Sequence, residues 1–161
     1  DEMFDLLDKT YSELDTYVPI ADYQIEYYKK KYIPFINPYF VNCIVDEDGK
    51  MVSFAITMPS YSKAMQKAKG KIFPFGWWHL MKASKNNDSA QFYLIGIDPK
   101  FQGKGVTALI FNAMFDTFRN NGIKFLETNP ELADNESIQV LWKAYDPVNH
   151  KRRKTFKKSI Q

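Results

Sequence analysis

The segment Ile95-Gly96-Ile97-Asp98-Pro99-Lys100-Phe101-Gln102-Gly103-Lys104-Gly105-Val106-Thr107-Ala108 concentrates residue types able to hold an anion. Glycines let the main chain fold tightly, and the first N–H groups of a helix have no partner within it. A helix opening at about Gly105 would aim those groups and its dipole at one point, where Lys104 adds a full positive charge. One exposed dipole interaction is worth only about 0.3–1 kcal/mol, so several donors must converge before a phosphate is held. The pattern outlines a diphosphate cradle.

Two standard phosphate motifs compete for the same residues. The nucleoside-triphosphate loop needs Gly-x-x-x-x-Gly-Lys-Ser/Thr, which the segment lacks. The dinucleotide fingerprint fits on paper, because Gly103-x-Gly105-x-x-Ala108 is followed by Glu127 at about the required separation. It is second best. Its first glycine should follow the strand directly, whereas Asp98-Pro99-Lys100-Phe101-Gln102 intervenes, and the chain supplies one crossover rather than repeated units.

Elsewhere the chemical inventory is thin. The single Cys43 cannot form an internal disulfide, and with only His79 and His150 there is no cluster of metal-ligand spacing, so no metal is expected. Cys43 reads as a small buried hydrophobe in an apolar strand rather than a nucleophile, and neither histidine has an identifiable partner. Trp77 and Trp78 are expected to pack rather than to line a pocket. The 161 residues carry a net charge of only +3, which hides an uneven distribution. Residues 1–15 hold six acids against Lys9, and the last sixteen hold Lys151, Arg152, Arg153, Lys154, Lys157 and Lys158 against Asp146. That basic end suits either a solvated tail or edge strand, or a phosphate-facing role.

The elements that must position the loop follow from periodicity. Met3, Phe4, Leu6, Leu7, Tyr11 and Leu14 recur at helical spacing, and a second helix is predicted from about Ala21 to Tyr32, ending before Pro34. Runs at 39–45 and 51–57, joined by Asp46-Glu47-Asp48-Gly49-Lys50, predict an antiparallel hairpin. A short basic helix after Ser60, closed by Gly70, and a further helical turn or two after Trp77-Trp78 form an aromatic insertion over 58–88. A buried strand over 90–98 contains Gly96, where a bulge or a close backbone approach is the usual reason for glycine. A long helix from about Gly105 to Asn120 and a strand over 123–128 complete a right-handed βαβ crossover. Asn135 is expected to start another helix, and 153–160 to form a last edge strand.

Length and a 45% hydrophobic content predict one globular domain over 1–161, an α/β fold on a mixed sheet flanked by helices. The apolar runs are far too short for a bilayer span, so no membrane partner is expected, and the cysteine usage suits a cytoplasmic setting. The first residue is Asp1, which suggests a processed chain or a fragment with something upstream.

Ile97-Asp98-Pro99 followed by Phe101-Gln102-Gly103-Lys104-Gly105-Val106 resembles the coenzyme A loop of the GNAT acyltransferase superfamily, whose signature is Gln/Arg-x-x-Gly-x-Gly/Ala. Gln102 and Gly105 match it, and Thr107 departs from the Gly/Ala preference. The order of elements also resembles the family across most of the chain, without its first strand. The stretches Phe73-Pro74-Phe75-Gly76-Trp77-Trp78, Glu127-Thr128-Asn129-Pro130 and Lys151-Arg152-Arg153 look like the C-terminal GNAT-like part of longer bacterial proteins.

The resemblance implies N-acyl transfer from acetyl-CoA or another acyl-CoA to an unidentified small-molecule or peptide amine. It implies that the backbone at Ile95 and Ile97 pairs with the pantetheine arm and that Gln102, Gly103, Lys104, Gly105, Val106 and Thr107 surround the diphosphate. Asn135 would bind pantetheine or serve as an ordinary helix cap. Seven residues on, the family often has a proton-donating Tyr; here it is Trp142, with Tyr145 one turn later as the substitute. Acyl transfer also needs a base for the amine, for which Glu127 is the candidate, and oxyanion donors, for which a bulge near Gly96 would serve. Two other readings remain: a non-catalytic CoA-binding or assembly module of a longer chain, and, third, a nucleic-acid contact through the basic end near Phe156. Oligomeric state is left open.

Overall fold

A computed structural model describes residues 1–12, 17–133 and 135–159. They fall into two compact units, 1–127 and 128–161. Leu14 of the expected first helix face and Ile160 of the expected last strand lie outside the described residues.

Four strands form one sheet in the order β1-β2-β3-β4: Val41–Val45, Met51–Pro59, Ser89–Ile97 and Phe125–Thr128. The sheet is mixed: β1, β2 and β3 are antiparallel, and β3 and β4 are neighbours joined by a helical crossover. The amides of Lys124 and Phe125 both donate to Asp88 O, at 2.7 and 3.1 Å, so β4 starts level with β3 and runs parallel to it. Its four residues therefore flank only the first half of the nine-residue β3.

β2 is the most buried strand, which explains its near-continuous apolar sequence. On one face lies α1 (Glu2–Tyr11), whose Leu6 and Leu7 pack with Phe54 and Ile56, supported by Met3, Phe4, Met51 and Leu94. Glu2 and Asp5 sit in its first turn and Lys9 in its last, the arrangement the helix dipole favours. α5 (Val106–Asn120) buries Val106, Ile110, Phe111, Met114 and Phe118, and the Phe92 and Phe111 rings stack at 6.1 Å. α2 spans Asp22–Tyr32. Two short helices, α3 (Ser62–Lys67) and α4 (Gly76–Lys85), make up the insertion, and α4 is longer than the one or two turns expected. In the second unit α6 covers Glu136–Trp142. No helix among the described residues is long and apolar enough to cross a membrane.

Three expectations need correction. Residues 153–159 form no strand; the like charges crowded along them disfavour pairing. Cys43 is exposed rather than buried, because β1 is the outer strand of the sheet and turns that side chain to solvent. Trp77 and Trp78 are each about half exposed rather than packed away.

Candidate functional site

Asp98 ends β3 and starts the loop. Its carboxylate accepts from the Lys100 amide at 3.0 Å, capping the single 3-10 turn Pro99–Phe101. Lys9 Nζ reaches the same carboxylate at 2.5 Å. Burial pushes the Asp98 carboxyl up, but the Lys9 and Lys100 hydrogen bonds outweigh it and hold the group below its ordinary value. A carboxylate depressed in the folded state stabilises above its unfolded pKa of about 3.9, and that contribution is lost as pH falls through the lower folded value. Lys9→Met should therefore destabilise the fold at neutral pH by about 1–2 kcal/mol, less than for a fully buried pair. The discount applies because the Lys9 side chain is 43% exposed. The difference from the wild type, followed by urea unfolding against pH, should shrink below about pH 4.

Past the 3-10 turn, Gly103 (φ 72°) and Gly105 (φ 82°) take the left-handed conformation that L side chains resist. A Cβ placed on either would meet no atom within 4 Å, so both glycines border open space. Gly105 is the N-cap of α5 and no side chain caps that helix. The Gln102 amide turns back to Pro99 O and that of Lys104 to Phe101 O, at 3.4 and 3.3 Å. The amides of Gly103, Gly105, Val106 and Thr107 meet no acceptor among the described residues. These donors stand at the positive end of a 15-residue helix, beside Lys104, whose ammonium lies 5.6 Å from the Phe101 ring centre.

The adjoining part of β3 has a free edge. The Asp98 amide donates to Val52 O at 2.9 Å, and Gly96 stands opposite Phe54 in the same register. The antiparallel alternation then turns the main-chain groups of Ile95 and Ile97 away from β2, beyond the end of β4. The last turn of α1 reaches two of those groups: Tyr11 Oη donates to Ile95 O at 2.9 Å, and Thr10 Oγ1, whose shorter bond is to Leu6 O at 2.7 Å, stands 3.3 Å from Ile97 O. Gln102 Nε2 also stands 3.5 Å from Ile97 O. Donors, rather than acceptors, are what this edge still offers.

The bulge expected near Gly96 lies further upstream. Thr57 pairs with Phe92 and Ile56 with Leu94, which leaves Tyr93 as the extra residue. Gly96 is explained by close approach instead: a Cβ there would sit 2.4 Å from Phe54 Cε1. Glu127 is the third residue of β4 and half-buried.

In the second unit, Asn135 Oδ1 accepts from the Ile138 amide at 3.3 Å, an ordinary N-cap. Trp142 is buried with its indole N–H on Glu131 Oε1 at 2.8 Å, and Tyr145 is half exposed in a 3-10 turn.

Sequence reasoning missed a cavity of about 320 Å³ between α1 and α2, lined by the acids Asp5, Asp8 and Asp22 and by apolar groups including Phe4, Ile20 and Ile25. Asp8 Oδ1 and the Tyr17 hydroxyl are both buried, and the phenol lies beside the Asp8 carboxylate. Burial, and then the neighbouring Asp8 carboxylate, push the Tyr17 phenol up to about 12. The run of acids in the first 22 residues was the available signal, but their convergence depends on how two helices pack.

No family model matches the sequence. Protein YghO of Escherichia coli is 25% identical over 123 residues, which is 73% of this chain and 32% of that protein. Bacterial ceramide synthase of Caulobacter vibrioides is 25% identical over 121 residues, 70% of this chain and 31% of its own. The chain thus spans about a third of the length of the curated relatives it matches. Among solved structures, ribosomal-protein-alanine N-acetyltransferase from Brucella melitensis superposes with a TM-score of 0.57 at 14% identity, covering 97% of this chain and 90% of that one. AAC(6')-Iy, solved in complex with the bisubstrate analog CoA-S-monomethyl-acetylneamine, gives 0.53 at 13% identity, covering 99% and 90%.

Proposed function

We propose that this chain, which has the GNAT fold, is an acyl-CoA-dependent N-acyltransferase. The observation that carries the reading is the set of unbonded amides at Gly103, Gly105, Val106 and Thr107, uncapped at the start of α5 and adjoining the free edge of β3. Open space around both glycines is what a diphosphate lying against the backbone requires. Acyl-CoA would supply the activated acyl group as co-substrate.

The loop amides and Lys104 would hold the diphosphate, and the outward amides of Ile95 and Ile97 would donate to carbonyls of the extended arm, as an added strand does. Amides left on that edge would also donate to the thioester oxygen as charge develops on it. Glu127 is the proposed base that takes the proton of the attacking amine, a role typically worth about 10²–10⁴-fold. As the C–N bond forms the thioester C–S bond breaks, and the CoA thiolate leaves, taking up a proton to depart as the free thiol.

For the acceptor, the cavity between α1 and α2 favours a cationic amine with an apolar body, since three carboxylates and several apolar side chains line it. One curated relative is a ceramide synthase. A ceramide is the amide of a long-chain amino alcohol, and a long-chain amine is accordingly the acceptor class proposed here. An exposed lone cysteine suits the reducing cytoplasm.

Calorimetric titration with acetyl-CoA, longer acyl-CoA and free CoA tests the cofactor site; no heat from any of them overturns it. Thiol release with amines of increasing chain length tests the chemistry. Binding without thiol release across that panel would assign the chain to the non-catalytic, CoA-binding class.

A further inference from the structure

We infer that the segment carrying α3 and α4 seats the protein on an anionic bilayer surface, a property separate from acyl transfer and independent of it. From 60 to 87 the chain contains Lys63, Lys67, Lys69, Lys71, Lys82 and Lys85 and no Asp or Glu. Among the described residues the acidic partner found for any of them is Asp88, 3.4 Å from Lys63. Interleaved with these lysines are apolar side chains that the fold leaves in water: Ile72 at 58% exposure, Phe73 at 79% and Phe75 at 70%, with Met65, Trp77 and Met81 each about half exposed. Isolated exposed hydrophobes are common, but a contiguous aromatic run of this kind marks an interaction surface.

The loop is built to present them. The Trp77 amide donates to Ile72 O at 3.0 Å, its indole N–H to Pro74 O at 2.9 Å, and the Trp78 amide to Phe75 O at 3.2 Å. The polar groups of this turn are thus satisfied locally while Phe73 and Phe75 project outward. Gly76 is buried with its Cα side hard against Lys71 O, where a Cβ would lie at 1.8 Å, so the turn is pinned to the base of α4. Helical spacing puts Trp77 and Met81 in one row of α4 and Trp78, Lys82 and Lys85 in the next. Lys82 Nζ stands 5.6 Å from the Trp78 ring.

The occupant follows from composition. Protein interfaces are depleted in lysine, because its ammonium is costly to desolvate, whereas tryptophan, phenylalanine and lysine together are what the headgroup region favours. The rings would enter the acyl boundary while the lysines stay at the level of anionic headgroups. No helix among the described residues is long and apolar enough to cross a bilayer, and seating at the interface needs none.

Cosedimentation of the intact protein with phosphatidylcholine vesicles, with and without about a third phosphatidylglycerol, tests the inference. Expected are binding to the anionic vesicles, a blue shift of the emission from the exposed Trp77 and Trp78, and weakening when salt is raised about tenfold. Phe73→Ser with Phe75→Ser should weaken partitioning at least tenfold or so. Each of Lys67→Gln, Lys69→Gln and Lys71→Gln should cost about fivefold. Melting temperature and CoA titration should stay at wild-type values, since these side chains are exposed and outside the loop. No association with anionic vesicles, as when another segment or protein covers the patch, overturns the inference; so does association that the Phe73 and Phe75 substitutions leave unchanged.

Discussion

Gly105→Glu should bind free CoA far more weakly than the wild type in calorimetric titration. Two effects act together. A non-glycine residue at φ 82° costs about 1–2 kcal/mol in the fold, and the new carboxylate stands where the helix dipole and Lys104 favour an anion. At an effective dielectric of a partly exposed site, like charges a few ångströms apart repel by about 1–4 kcal/mol, roughly 5- to 1000-fold in affinity. Gly122→Ala provides the control. Gly122 has φ 70°, follows the other end of α5 and also borders no atom within 4 Å. It should lower the melting temperature by a few degrees, as Gly105→Ala should, and leave CoA affinity untouched. Equal loss of binding in both variants would mean that helix strain, not the cradle, accounts for the effect.

Gly96→Ala should be among the most destabilising small substitutions in the chain. The added methyl would lie 2.4 Å from Cε1 and 2.9 Å from Cζ of Phe54. Phe54 is 1% exposed and packs against Leu6, Leu7 and Ile56, so the ring has nowhere to go. Overpacking of this kind costs about 1–3 kcal/mol, which for a chain of 161 residues lowers the melting temperature by several degrees. Phe54→Leu alone leaves a partial cavity and should also destabilise. Combined, the two should be less harmful than their sum by about 1 kcal/mol, because the shorter side chain vacates the space the methyl needs. Strict additivity in urea unfolding would show that Phe54 is not what requires glycine at this position.

What was legible in the sequence is what depends on neighbours in the chain. The loop from Asp98 to Val106 could be read because capping, left-handed glycines and helix starts are set within a few residues, and the hairpin and the α5 stripe follow from local periodicity. The bulge at Tyr93 could not, since it is a property of how β2 and β3 align, and either alignment suits the same apolar run. The Tyr11 contact to Ile95 joins residues 84 apart, and no pattern within α1 announces it. The acidic cavity was missed for the same reason. For the α4 segment, Trp77-Trp78-His79-Leu80-Met81 lacks both a side-chain cap and a polar face, so ten helical residues looked like two turns.

The hydroxyls of Thr10 and Tyr11 bear on a hazard of folding as well as on ligand choice. A strand left open along one side invites a second molecule to zip onto it, the first step of uncontrolled aggregation. Such zipping needs donors and acceptors in alternation. With the carbonyl of Ile95 bonded by Tyr11 and that of Ile97 covered by Thr10 and Gln102, an incoming polypeptide finds these hooks obstructed. The first helix thus shields the chain from self-templating, and removing residues 1–11 should turn a dispersed protein into one that precipitates.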